Sequence, residues 1–259
     1  MDASAEIRTN KVPDVTLAFW VIKIAATTLG ETAGDAVSMT LDLGYAVASL
    51  IFLAIFAVAV GAQITSRSYR PFLYWTVIVA TTTVGTTLAD FADRSLDVGY
   101  TGGTAILFFA LMASLAVWYR AAGSVSVNTI TTPKVELFYW IVILFSQTLG
   151  TALGDWTADT NDMGYGGGAL IFAAALALIV ALYYATNISR TLLFWSAFIL
   201  TRPLGATVGD FLDKPIEDGG LAFSRITASA VLAAFMIACI LFLPQKIKTH
   251  STEPGSSGP

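Results

Sequence analysis

The sequence predicts an all-α membrane protein of eight transmembrane helices, arranged as four parallel two-helix repeats in two duplicated halves. Three observations carry this. Of the 259 residues, 56% are hydrophobic and 12% charged, against the ~25% charged share of soluble domains, and the mean hydropathy is +0.71. The charges separate apolar runs of about 20 residues, the length that crosses ~30 Å of hydrocarbon. A residue motif also recurs at fixed spacing.

The motif begins with Trp, then Gly, then Asp: Trp20, Gly30 and Asp35; Trp75, Gly85 and Asp90; Trp140, Gly150 and Asp155; Trp195, Gly205 and Asp210. A second Asp follows at Asp42, Asp97, Asp162 and Asp218, then a Gly, then Tyr in three of the copies (Tyr45, Tyr100, Tyr165). The first and third copies share Thr-Leu-Gly and Gly-Asp, while the second and fourth share Asp-Phe-x-Asp and a base: Asp90 to Arg94 and Asp210 to Lys214. The same offset separates Trp20 from Trp140 and Trp75 from Trp195, so a four-helix half is duplicated once. The halves are residues 1–125 and 126–245, joined through the polar stretch Ala121–Pro133, and 246–259 read as a disordered tail.

This pattern resembles a bacterial family of uncharacterised membrane-anchored proteins. Each member of that family has four tandem repeats of unknown function, with two transmembrane segments and a Trp in each. The likeness covers about residues 14–245. It implies the architecture and no settled activity.

The spans predicted in order are 14–37, 45–65, 71–92, 100–120, 134–157, 165–186, 190–212 and 221–243. Each odd span carries the motif Trp near its start and the Asp near its end; each even span follows the second Asp and its Gly. The first apolar run belongs to the repeat, so it reads as a retained helix and not a cleaved leader. One set of connections holds Arg8, Lys11, Arg67, Arg70, Arg120, Lys134, Arg190, Lys246 and Lys248, the other Arg94 and Lys214. Lys and Arg favour the cytoplasmic side, so both termini are expected there, in a bacterial inner membrane. The four Trp then fall near the cytoplasmic interface, where aromatic belts anchor membrane helices.

Most acidic residues gather at the opposite ends: Glu31, Asp35, Asp42, Asp90, Asp93, Asp97, Asp155, Asp159, Asp162, Asp210, Asp213, Glu217 and Asp218. Such a mouth concentrates cations. Polar stripes run down each odd span: Lys23, Thr27, Glu31 and Asp35; Thr82, Thr86, Asp90 and Asp93; Gln147, Thr151 and Asp155; Arg202, Gly205, Gly209, Asp210 and Asp213. Polar groups in a span face protein or a wet cavity, so the odd helices are expected around a common interior. Gly30/Gly34, Gly150/Gly154, Gly205/Gly209 and Gly85/Ala89 are small residues four apart, a spacing that lets helices pack closely in lipid.

Asp35, Asp90, Asp155 and Asp210 read either as structural acceptors or as ion or substrate contacts. Asp42, Asp97 and Asp162 read as N-caps of the even helices. Asp90 with Asp93 and Asp210 with Asp213 share a helix face, so Arg94 and Lys214 can neutralise them or a cation can. Lys23 is expected to snorkel to the cytoplasmic interface. Arg202, beside the helix-disrupting Pro203, needs a buried partner: Glu31 is the candidate and a substrate anion the rival.

These residues exclude several functions. The net charge of -4 argues against a nucleic-acid partner, and one Cys (Cys239) and one His (His250) leave no soft-metal cluster. No span contains His or a nucleophile–base pair, so the chain is expected not to be an enzyme. The leading expectation is passage of a small solute or hard cation between the odd helices, with Glu31, Asp35, Asp90, Asp93, Asp155, Arg202, Asp210 and Asp213 as pathway residues. Oxygen ligands of this kind suit magnesium, manganese or calcium. The alternative is a scaffold or partner-binding protein. The bilayer is the one partner implied outright; cofactor, metal identity and oligomeric state stay open.

Overall fold

A computed structural model describes residues 10–96, 98–160 and 163–245. It contains eight α-helices: α1 (Leu17–Asp35), α2 (Gly44–Thr65), α3 (Pro71–Asp90), α4 (Tyr100–Ala122), α5 (Pro133–Thr160), α6 (Gly164–Ala185), α7 (Arg190–Asp213) and α8 (Arg225–Phe242). There is no strand among the described residues. Seven of the helices, all but α1, are long and apolar enough to cross a membrane. The exception follows from Lys23, Glu31 and Asp35, which α1 buries inside the protein.

The odd helices form a closed inner ring: α1 packs on α3, α3 on α5, α5 on α7 and α7 on α1. Glycine sets their separation. A Cβ on Gly30 or Gly34 would meet Thr82 or Thr86 of α3, and one on Gly205 or Gly209 would meet Thr27 or Glu31 of α1. A Cβ on Gly85 would lie 2.9 Å from the backbone of Gln147 and Thr148. Gly150 and Gly154 receive Arg202, Pro203 and Ala206 in the same way. Contact positions rise together along both members of each pair, so the odd helices run parallel. Each glycine accepts the next helix's side chain, and α7 closes the circle on α1.

The even helices lie outside, one step out of register with the repeats. α2 packs on α3, α4 on α5, α6 on α7 and α8 on α1. Each therefore covers the odd helix of the following copy, which ties neighbouring repeats together as a clasp does. Their outward residues are large and apolar, among them Leu50, Val58, Phe109, Leu170, Val231 and Phe242.

The four Trp do not form an interfacial belt. Trp75, Trp140 and Trp195 are buried and Trp20 half-buried. Each stacks against the residue preceding the Trp of the copy before it. Phe19 meets Trp75 at 5.5 Å, Tyr74 meets Trp140 at 5.7 Å, Tyr139 meets Trp195 at 6.3 Å and Phe194 meets Trp20 at 5.8 Å. The expectation of membrane anchoring fails because the ring offers these side chains an aromatic layer. Such pairs contribute about 0.5–1.5 kcal/mol each beyond area burial. Tyr74 and Tyr139 share a hydroxyl hydrogen bond of 2.7 Å at its centre.

Below this layer the segment before α1 packs against the end of α2 and the start of α5. Lys11 Nζ donates to the carbonyls of Gln63, Ile64 and Ser66 at 2.8, 3.0 and 3.1 Å and pairs with Glu136 at 2.5 Å. It thus satisfies orphan carbonyls at the C-terminus of α2.

At the other end the turns depart from the predicted capping. Asp42 lies at φ 54 and does not cap α2, whose N-cap is Leu43 with no side-chain bond. Gly44, Gly99 and Gly164 take φ of 73, 73 and 62, so the motif Gly is there for a left-handed turn. Asp97 and Asp162, with Arg8, Lys246, Lys248, His250 and the tail, lie outside the described residues. The last helix opens at Arg225, later than predicted, because the chain folds back after α7: Leu221, Phe223 and Ala222 donate to the carbonyls of Phe211, Leu212 and Lys214. Ser224 caps it.

Candidate functional site

The ring encloses a file of buried ionisable side chains. Nearest the aromatic layer is Lys23, fully buried, its Nζ 4.2 Å from the centre of the Phe198 ring. It does not snorkel, because its side chain points into the ring between α1 and α7. Its Nζ has no hydrogen-bond partner among the described residues. A desolvated cation over an aromatic face gains about 2 kcal/mol, less than the desolvation penalty of several kcal/mol.

One turn further out, Thr27, Thr82, Gln147 and Arg202 occupy equivalent positions on the four odd helices. The two threonines stay local, bonding the carbonyls of Thr201 and Ala26 on the neighbouring helix at 3.1 and 3.2 Å. Arg202 instead reaches across the axis. Its Nη2 donates to Glu31 Oε2 at 2.8 Å, Thr86 Oγ1 at 2.6 Å and Thr151 Oγ1 at 2.5 Å, and Nη1 to the Thr27 carbonyl at 3.3 Å. One guanidinium therefore touches α1, α3 and α5 from α7. Arg202 is 0% and Glu31 2% exposed, so the guanidinium fills the space a pathway would need. Pro203 lies within one uninterrupted helix and packs against Gly150.

Beyond Arg202 lies a ring of four buried carboxylates, Asp35, Asp90, Asp155 and Asp210. Two bases divide them. Lys214 Nζ stands 2.6 Å from Asp35 and 3.0 Å from Asp210. Arg94 stands 3.0 Å from Asp90 and 3.7 Å from Asp155. Each base bridges its own repeat's Asp to the Asp of the following one, the fourth repeat reaching round to the first. Lys214 follows the last residue of α7. Burial opposes its charge, but Asp210 and Asp35 outweigh that and hold the ammonium well above its ordinary pKa.

Asp93 and Asp213 do not join the Asp pairs as the shared-face expectation had it. Residues 91–95 form a π-helical turn, and the Asp93 carboxylate faces Gly103 of α4 with neither oxygen hydrogen-bonded. Asp213 has its nearest base at 3.6 Å, Arg225 Nε, which is also 3.7 Å from Asp35.

Arg225 escaped sequence reasoning. It sits at the start of α8, outside the repeat motif, and only the wrapping of α8 onto α1 brings it to the acidic end. Thr86 and Thr151 belong to the polar stripes of the sequence, but only the ring makes both of them Arg202 acceptors. Glu31, Asp35 and Asp210 place one carboxylate oxygen each within 4.8 Å of one another, close enough for the three to share a hard cation.

A model for a family described as Repeat of Unknown Function (DUF347) matches four times, at residues 18–69, 73–124, 138–189 and 193–244. The boundaries coincide with the helix pairs, one odd and one even helix to each copy. No curated protein matches. No solved structure matches either. With most of its length in those four copies, each supplying one inner and one outer helix, the chain belongs to the DUF347 repeat family.

Proposed function

We propose that the protein crosses a bacterial inner membrane eight times, with both termini cytoplasmic, and moves a small hydrophilic solute along the axis between its odd helices. The structure is then a closed state. The carrying observation is Arg202, a guanidinium at 0% exposure bonded to three other helices at mid-ring. Breaking or burying such a charge is expensive in a membrane, and charged groups there mark pathways and relays. A bundle needing only to hold together is served as well or better by apolar side chains in those places.

The same packing supports eight crossings. The charges of α1 face the ring, and α8 covers its outside, so lipid need not meet them. The parallel odd helices put Arg94, Lys214 and the four Asp on one side and Lys11, Arg67, Arg70 and Arg190 on the other, which supports the cytoplasmic assignment of the termini.

One observation favours a second reading. Thr27, Thr82, Gln147, Thr151 and Arg202 are all 0% exposed, so the axis is packed, as in a non-transporting scaffold. Uptake into vesicles separates the two. Purified protein in liposomes is offered mono- and divalent cations and small organic ions, beside an E31Q/R202M variant. Transport predicts uptake of at least one solute above empty vesicles and an altered rate in the variant. Uptake equal to empty vesicles throughout would sink the transport reading and leave the scaffold.

A further inference from the structure

The two bases at the acidic ring are not equivalent. On the α3/α5 side the base is Arg94, and the residue one turn inside Asp155 is Thr151. On the α7/α1 side the base is Lys214, and the residue one turn inside Asp35 is Glu31. Among the described residues only the second side therefore assembles three carboxylates, with oxygens within 4.8 Å of one another. Two of the three, Asp35 and Asp210, are bridged by the Lys214 ammonium, 2.6 Å from Asp35 Oδ2 and 3.0 Å from Asp210 Oδ1, while Glu31 Oε2 is held by Arg202. Although that second separation is short, Asp210 Oδ1 accepts no aligned hydrogen bond.

A further carboxylate stands beside this site without a hydrogen-bond donor. The side chain of Asp213 is 0% exposed, and neither of its oxygens has a hydrogen-bond partner among the described residues. Arg225 Nε, its nearest base at 3.6 Å, is itself unbonded. Asp213 adjoins Lys214 in the chain and lies one helical turn past Asp210. A buried carboxylate without a donor is costly, while the ammonium beside it serves two other carboxylates.

We propose that Asp35, Asp210 and Glu31 form a binding site for a hard divalent cation, that Lys214 is its resident tethered occupant, and that Asp213 receives the ammonium when the ion enters. This rests on the transport reading and names its substrate class. Lysine suits the role. Its ammonium is a compact point charge on a flexible stem, whereas Arg94 is a planar fork that holds its carboxylates by geometry. The exchange is an internal displacement. Two oxygen contacts to Nζ break, contacts from Asp35, Asp210 and Glu31 to the ion form with Glu31 still paired to Arg202 through Oε2, and the charge of Lys214 moves to Asp213 with no proton transferred.

Binding of Mn2+ to the full chain in detergent, read by electron paramagnetic resonance, tests this. K214M removes the competitor and is expected to lower the Mn2+ Kd roughly tenfold. D35N/K214M is expected to lose binding. K214R keeps the charge with a head group that holds its carboxylates, and is expected to bind more weakly than the parent. D213N, lacking the acceptor, is expected to weaken binding in the Lys214 parent and not in K214M. The proposal is overturned if K214M and K214R bind Mn2+ as the parent does, or if D35N/K214M binds as tightly as K214M. Should K214M not fold, K214R and D213N carry the test alone. Mn2+ binding with the expected order but no uptake into vesicles keeps the site and removes the transport reading. Uptake with no Mn2+ binding in any variant removes the site.

Discussion

Replacing Arg202 by Met should destabilise the protein far more than any single side chain in the even helices. The guanidinium donates to Glu31, Thr86 and Thr151, and Met fills a similar volume without a donor. What remains is a carboxylate at 2% exposure with its charged partner gone. Removing one member of a buried pair costs about 3–5 kcal/mol, and for a chain of this size each kcal/mol is worth ~2–4 °C. The expected fall in Tm is therefore roughly 6–20 °C, measured on the detergent-purified protein by thermal unfolding. E31Q/R202M removes both charges and should recover most of the loss, because the cost lies in the unpaired carboxylate and not in the lost volume. The reasoning is refuted if R202M melts within about 2 °C of the parent, since a shift that small corresponds to under ~1 kcal/mol. It is equally refuted if the double variant is no more stable than the single one. Average polar contacts between membrane helices are worth only about 0.6 kcal/mol, so the result also tells whether this junction is exceptional.

Ring glycines differ in how much room they leave. G85A places a Cβ 2.9 Å from backbone atoms of Gln147 and Thr148, whereas G154A meets Ala206 Cβ at 3.2 Å. Overpacking costs about 1–3 kcal/mol, so G85A should lower the Tm clearly and G154A by much less; equal effects would show that the helices separate freely. Y74F leaves the Tyr139 hydroxyl without its 2.7 Å partner and should cost about 1–3 kcal/mol, while Y74F/Y139F should be nearer the parent; a double variant worse than the sum of the singles would contradict this. In a C239A background, S68C and E217C both place a thiol at an exposed position. A membrane-impermeant maleimide applied to intact cells should label E217C and spare S68C until the cells are opened, and the reverse pattern would invert the topology.

Much of the architecture is legible in the sequence because the repeat states it four times. A Trp-to-Asp register marks every inner helix, and continuous apolar runs mark every outer one. Polar stripes that lipid cannot solvate require the odd helices to face one another, and glycines four apart say how closely. Even the partner of Arg202 was readable, since Glu31 is the one acid at that depth on another inner helix. Turn chemistry was less so. An Asp two residues before a Gly suits an N-cap as well as it suits a left-handed turn, and Asp42 takes the turn.

Sequence alone thus determined the number of helices, their pairing into repeats and the face each inner helix buries, because burial in a membrane is a local, per-helix constraint. Only the tertiary structure decided what closes the ring. Whether a Trp meets lipid or the aromatic of the previous repeat depends on which helix stands beside it. So does whether Lys23 reaches water or Phe198, and whether Arg225 stays at the surface or approaches Asp35. Those neighbours are set by the inner ring closing α7 onto α1 and by α8 returning to α1, contacts between opposite ends of the chain that no local pattern encodes.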